Sequence, residues 1–333
     1  MRTEIPKEKQ LEEKVFAITN EKQFSIIALD VYQFQFDNNL LYQDYCHAVG
    51  KLPQAVDQVT DIPFLPISFF KTHRIETTTF DPELVFKSSA TTGTVTSSHY
   101  VKDARLYIKS FLKGFERVYG DIKQYCIIGL LPSYLEREDS SLVYMVDHLI
   151  KASGHQDSGF YLNEFEQLDL TLKRLRSLNQ KMILIGVTYA LMDFCNRYPQ
   201  NMPNIILMET GGMKGRHREM TKAELYEHLK KKFGASAIHS EYGMTELLSQ
   251  AYGVDGKMNC PPWMKVLIRD ETDPFTIYKN GSSGAINIID LANLYSCSFI
   301  ATDDMGRTNS DGSFEILGRL DYSDIRGCSL MVV

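Results

Sequence analysis

Several stretches of this chain bring together residue types that can do chemistry. SSATTGTVTSS, residues 88–98, holds eight hydroxylic side chains among eleven residues, with one glycine and no charge. Hydroxyls and backbone N–H groups can all donate to anionic oxygens, and Gly93 lets the backbone come close, which suits a phosphate. It is not a Walker A loop, because Thr94 and Val95 follow the glycine where that motif needs lysine. Three further polar segments stand downstream: ETGG at 209–212, HSEYGMTE at 239–246 and TDDMGRTNSDGSFEILGRLDYSD from Thr302. Near the end lies a thiol, Cys328, two residues after Arg326. Plainer readings stand beside these. Ser/Thr clusters between elements serve as solvated loops or helix N-caps. A free cysteine beside Leu330 and Met331 can simply pack as a small hydrophobe.

Composition narrows the setting. The chain has 333 residues, 44% hydrophobic and 23% charged, which is ordinary for a chain with a full core. A net charge of −6 argues against a nucleic-acid surface. The start, MRTEIPKEKQLEEKVFAI, has no apolar signal-peptide core, and no run approaches a membrane span. The cysteines at 46, 126, 195, 260, 297 and 328 form no CxxC pair, which predicts free thiols in a reducing cytoplasm. The histidines show no metal-binding spacing, so no structural or catalytic transition metal is expected.

The elements that must position these residues follow from periodicity. Residues 1–60 read as a helical segment, with Lys7–Phe16 amphipathic and Leu40, Leu41, Tyr45 and Ala48 at helical steps. Residues 61–75 are extended or turning around Pro63 and Pro66, with Phe64, Phe69 and Phe70 directed to the core. The hydroxyl-rich loop is expected between a strand at 83–86 and a helix with Ala104, Ile108, Phe111, Phe115 and Val118 inward. Apolar runs at 125–131, 182–187 and 204–208 predict buried strands. The helices between and after them include one that a Thr221/Glu224 capping box opens and Gly234 closes. Strands alternating with helices predict a helix-covered, mostly parallel sheet, and ligands bind beyond the carboxyl ends of such strands. The ETGG and HSEYGMTE loops stand at those ends. Short strands at 265–269, 285–290 and 313–317, separated by NG, SSG and DG turns, predict a smaller antiparallel region.

Together the polar segments resemble the adenylate-forming superfamily of acyl and aryl ligases. Ser88–Thr94 matches its phosphate loop, and Tyr242-Gly243-Met244-Thr245-Glu246 its YGxTE motif. Thr302-Asp303-Asp304, Asp311-Gly312 and Gly318-Arg319 match its TGD, DG and hinge GR motifs. Asp303 stands where the superfamily usually has glycine. The resemblance implies the large α/β domain of these enzymes, with ATP and Mg2+ as cofactors. It implies that Ser88, Ser89, Thr91, Thr92, Gly93 and Thr94 hold the β and γ phosphates, and that Thr245 touches the α-phosphate. Glu246 would hold Mg2+, Asp304 the ribose hydroxyls, and Arg319 the ribose and phosphates. Gly211 and Gly212 would pass close to the adenine, with Tyr242 and Gly243 in the same nucleotide site.

Within that superfamily the chain looks like the acyl-protein synthetases of bacterial fatty-acid reductase complexes. FLPISFFK, FKSSATTG, LLPSYLE with SSLVYMVDHLI, HSEYGMTELLSQAY and DIRGCSLM carry the likeness. It implies activation of a fatty acid as acyl-AMP, transfer to Cys328, and delivery to an acyl-CoA-reductase-like partner. The resemblance further leads one to expect an α/β core over 61–317 and a hinge remnant and tail over 318–333. The superfamily's mobile C-terminal domain, and the lysine it carries, are expected to be absent. Two rivals stay open: an adenylation domain serving CoA or a carrier-protein thiol, and a non-catalytic nucleotide- or acyl-binding scaffold. His239 can be a pocket wall or a core histidine.

Overall fold

The computed structural model describes residues 7–88, 95–131, 139–162, 164–211 and 220–320. Among them the chain begins with helices α1 (Lys7–Phe16), α2 (Glu21–Asn38) and α3 (Leu40–Ala48), then strand β1 (Leu65–Pro66) and the one-turn helix α4 (Phe69–Thr72). Strands β2 (Leu84–Lys87) and β3 (Ser98–Val101) precede α5 (Ala104–Tyr119). An alternating series follows: β4 (Tyr125–Leu130), α6 (Ser141–Ser153), β5 (Gly159–Phe160), α7 (Phe165–Ser177), β6 (Lys181–Gly186), α8 (Thr188–Arg197), β7 (Ile206–Glu209), α9 (Lys222–Phe233) and β8 (Ile238–Tyr242). The rest is strand: β9 (Ala251–Val254), β10 (Lys257–Asn259), β11 (Met264–Arg269), β12 (Ser283–Asp290), β13 (Phe299–Thr308) and β14 (Phe314–Arg319). No helix among the described residues is long and apolar enough to cross a membrane.

Two compact units emerge. The first gathers Met1–Phe69, Ile75–Thr78 and Pro262–Val333, and the second gathers Phe70–Arg74 and Thr79–Pro261. Within the first unit, the helices of residues 7–48 join the later strands through buried polar and aromatic contacts. From α2, Gln35 donates to the carbonyls of Asn293 and Leu294 at 3.1 and 3.0 Å and accepts from the Ser298 amide at 2.9 Å. Tyr42 stacks on Phe299 at 6.2 Å, and Phe64 meets the same ring edge-on at 6.2 Å. Asn39 divides α2 from α3: its amide donates to Gln35 O at 2.9 Å, while its side chain caps Tyr42 N at 3.0 Å. In this unit β11, β12, β13 and β14 run antiparallel in order, and β1 pairs in parallel with β13.

In the second unit β8, β7, β6, β4 and β5 lie side by side in parallel. Each neighbour-to-neighbour return needs a crossover, and the intervening helices supply it. β4 is buried at every position and β6 at all but Lys181, which is why they read as unbroken apolar runs. β9 turns back antiparallel on β8, and β10 on β9. The capping box opens α9 as expected: Thr221 N donates to Glu224 Oε2 at 2.8 Å, and Glu224 N to Thr221 Oγ1 at 3.2 Å.

Two expectations need correction. The hydroxyl-rich loop does not join a strand to a helix; its flanks pair antiparallel, Leu84 with Val101 through Lys87 with Ser98, so it belongs to a hairpin. His99 alternates into the interior with Val101, and that polar but buried residue hid the second strand. Helix α5 exists where predicted, but its buried stripe is Leu106, Tyr107, Ser110, Phe111, Gly114 and Phe115. Val118 is 48% exposed, because the small residues Ser110 and Gly114 set the packed face and apolar spacing alone cannot see them.

Candidate active site

The parallel register sets Glu209 of β7 beside Ser240 of β8, so both strands deliver their next residues to one edge of the sheet. Beyond β7, the buried Glu209 carboxylate accepts from the Thr188 hydroxyl and, at 2.6 Å, from the Gly211 amide. The turn is closed by Thr188 N donating to Gly211 O at 3.0 Å and Thr210 N to Gly186 O at 3.1 Å. Gly211 has φ +80°, a conformation other residues resist, and among the described residues no atom lies within 4 Å of where its Cβ would stand.

Beyond β8 the chain turns through Gly243, Met244, Thr245 and Glu246. A Cβ on Gly243 would lie 2.6 Å from Glu241 Oε1 and 3.2 Å from Gln250 Cγ, so a larger residue here would displace the Glu241 carboxyl. Leu247 N donates to Met244 O at 3.1 Å, tightening the turn. Thr245 is half-buried and Glu246 is 5% exposed. The Thr245 carbonyl accepts from His99 Nδ1 at 2.8 Å. His99 stands on β3 on the return limb of the hydroxyl-rich hairpin, whose neck is closed by Ser88 N donating to Ser97 O at 3.0 Å and Ser97 N to Ser88 Oγ at 2.9 Å.

Helix α5 packs along β8, β9 and the turn between them. Ser110 Oγ meets Ser249 Oγ at 3.0 Å, and Tyr119 packs edge-on against Tyr252 at 5.5 Å. Tyr119 OH also pairs with His239 Nδ1 at 3.2 Å, and burial lowers the pKa of that histidine while Asp255 opposes the shift. His239 is thus a packed partner of Tyr119. Glu241, opposite Tyr252 in register, has its carboxyl raised to about 8 by burial and then by the charge of Glu209. Tyr252 OH and Gln250 Oε1 are buried and, among the described residues, without a hydrogen-bond partner.

In the other unit, Asp304 of β13 and Arg319 of β14 are cross-strand partners. Arg319 Nε lies 3.5 Å from Asp304 Oδ1; Arg319 is 77% exposed and Asp304 18%. Asp304 N donates to Thr302 Oγ1 at 3.2 Å, and Thr302 donates in turn to Ile286 O at 2.9 Å. Gly318 and Arg319 lie within β14, and Leu320 N donates to Asp303 O at 2.7 Å.

Of the residues singled out in the sequence, Ser88, Gly211, Tyr242, Gly243, Thr245 and Glu246 fall in the second unit, and Asp304 and Arg319 meet in the first. Ser89, Thr91, Thr92, Gly93, Thr94, Gly212 and Cys328 lie outside the described residues. Sequence reasoning missed His99, Glu209 and Glu241. A lone histidine in a Ser-rich stretch gives no periodic signal, and the two glutamates were visible only as parts of polar segments.

Comparison with solved structures gives the fold its place. 2-Hydroxyisobutyryl-CoA ligase in its postadenylation state, in complex with 2-HIB-AMP, matches with a TM-score of 0.60 at 12% identity, over 94% of this chain and 68% of that one. ATP-bound MatB from Rhodopseudomonas palustris matches with a TM-score of 0.54 at 14% identity, over 71% of this chain and 47% of that one. The chain spans about half the length of the MatB structures. At these identities what is shared is the fold, a mostly parallel α/β sheet with a smaller antiparallel one. No curated protein matches the chain in sequence. The family described as acyl-protein synthetase, LuxE, matches residues 10–333, and the chain belongs to that family.

Proposed function

We propose that this chain is an ATP-dependent acyl-protein synthetase acting on a fatty acid in the cytoplasm. In the reaction, a carboxylate oxygen of the acid attacks the α-phosphorus of ATP, the bond to the β-phosphate breaks, and pyrophosphate leaves. The Cys328 thiolate then attacks the acyl carbonyl, AMP leaves, and a thioester remains for an acyl-CoA-reductase-like partner. Bringing a carboxylate to a triphosphate joins two anions, so the site must neutralise charge and fix geometry.

The observation that carries this reading is the gathering of the Ser88 hairpin neck, Gly211 and the Tyr242–Glu246 turn in one unit, with His99 bonded to Thr245. The hydroxyl-rich loop, Ser88 through Thr94, would hold the β and γ phosphates, and Thr245 the α-phosphate. Gly211 and Gly212 would let the backbone pass close to a flat base; the left-handed φ of Gly211 supports that reading. The Glu246 carboxylate offers the hard oxygen that Mg2+ prefers, and the ion would neutralise phosphate charge. Asp304 and Arg319 would serve the ribose and phosphates; the guanidinium fork suits bridging oxygens.

Labelled fatty acid and ATP should leave on the protein a label that hydroxylamine removes, and Cys328→Ser should abolish it. Normal labelling of the serine variant would end the role given to that cysteine. Rapid formation of soluble acyl-CoA on adding CoA would point to a free-thiol acceptor instead.

A further inference from the structure

We propose that His99 is a positioning residue for adenylation: it locks the Gly243–Leu247 turn and thereby sets Thr245 and Glu246. The proposal rests on the reading of Thr245 and Glu246 as phosphate- and Mg2+-binding residues.

The geometry singles out this histidine. His99 is 1% exposed, and its Nδ1 lies 2.8 Å from the Thr245 carbonyl. A carbonyl only accepts, so Nδ1 carries the hydrogen and donates. The bond spans 146 residues of sequence and reaches the backbone of the very residue whose hydroxyl would meet the nucleotide. The donor itself stands on a rigid base. Its ring packs edge-on against Phe70 at 6.0 Å, and its strand partner is Phe86. Phe86 is 1% exposed and meets Tyr107 at 5.4 Å and Tyr144 at 5.6 Å. On the accepting side, the turn has the Leu247–Met244 bond at 3.1 Å and the tight glycine at 243, but it ends in a carbonyl that needs a donor. A part-buried carbonyl stripped of its donor loses that bond's contribution, and the turn is then less firmly held.

Two properties of the site follow. Thr245 presents its hydroxyl from a backbone held by the hydroxyl-rich hairpin, so any displacement of that hairpin is passed to Thr245 through one bond. The same bond lets the turn stay fixed before any ligand arrives, which is what preorganisation requires.

The test uses full-length His99→Phe and His99→Asn. Phenylalanine keeps the ring against Phe70 and removes the N–H. Asparagine keeps an N–H one bond beyond Cγ, where Nδ1 stands. In fatty-acid-dependent ATP–pyrophosphate exchange, the Phe variant should lose roughly 10- to 100-fold in kcat with the acid KM within about twofold, and the Asn variant should recover to within about threefold. Hydrogen–deuterium exchange of the peptide covering 243–249 should be about tenfold faster in the Phe variant and restored in the Asn variant. Unchanged protection of that peptide in the Phe variant overturns the proposal whatever its exchange rate, and so does an Asn variant no better than Phe. If the parent itself shows no pyrophosphate exchange with any acid, the adenylation reading falls, and the hydrogen-exchange arm still decides whether His99 holds the turn.

Discussion

The two units hold their motif residues in opposite ways. In the parallel-sheet unit, the backbone of Gly211 and Thr245 is gripped from behind by buried side chains, Glu209 at 2.6 Å and His99 at 2.8 Å. In the antiparallel unit, Arg319 approaches Asp304 at 3.5 Å while 77% exposed to solvent. A hydrogen bond made by a buried side chain is shielded from water and costly to break, whereas an exposed ion pair is screened and worth little. The difference teaches that the first set is fixed before a ligand binds. The second pair has side chains with interaction energy left to offer.

That contrast can be broken or sharpened by substitution. The largest effect is expected at Glu209, because Glu209→Ala leaves the Thr188 hydroxyl and the Gly211 amide without their acceptor in a buried place. Denaturant unfolding should show a loss of about 2–4 kcal/mol, and the ATP KM should rise together with it. Unaltered stability would mean that the grip on Gly211 is not where the energy lies.

A middle effect belongs to Glu241 and depends on pH. Its carboxyl is raised from the ordinary 4.5 to about 8, by burial first and by Glu209 second. Across that window the folded chain keeps a proton that the unfolded chain has lost, so this group's contribution to stability falls as pH rises and is gone above about 8. Glu241→Gln cannot ionise and should flatten the slope, with a gain over the parent that grows as pH rises toward 8 and is small near pH 5. Parallel curves for parent and variant across the window would refute the shift.

The smallest effect on stability is expected at Arg319. Arg319→Ala should change the unfolding free energy by less than about 1 kcal/mol, with the effect shrinking further in high salt. If instead it destabilises as strongly as Glu209→Ala, the two units are not held differently.

Much of the scaffold was legible. Tyr125–Leu130 is buried along its length and Lys181–Gly186 at all but Lys181, so their apolar runs identify them without reference to neighbours. The Thr221/Glu224 box is a local hydrogen-bond pattern and reads directly. β13 was harder, since Phe299–Thr308 carries Thr302, Asp303 and Asp304 within the strand, and a polar run reads as loop. The same reason hid β3, whose buried His99 has a bond to a residue 146 positions away. YGMTE was visible as a motif, yet what fixes its backbone depends on tertiary contacts that no local pattern encodes.

The most direct measurement is ATP–pyrophosphate exchange by the full chain across a panel of carboxylic acids. Label should return from pyrophosphate into ATP only when a fatty acid is present, because reversal needs an acyl-adenylate in the site. Exchange with no acid on the panel would contradict the account and leave the chain as a binding scaffold.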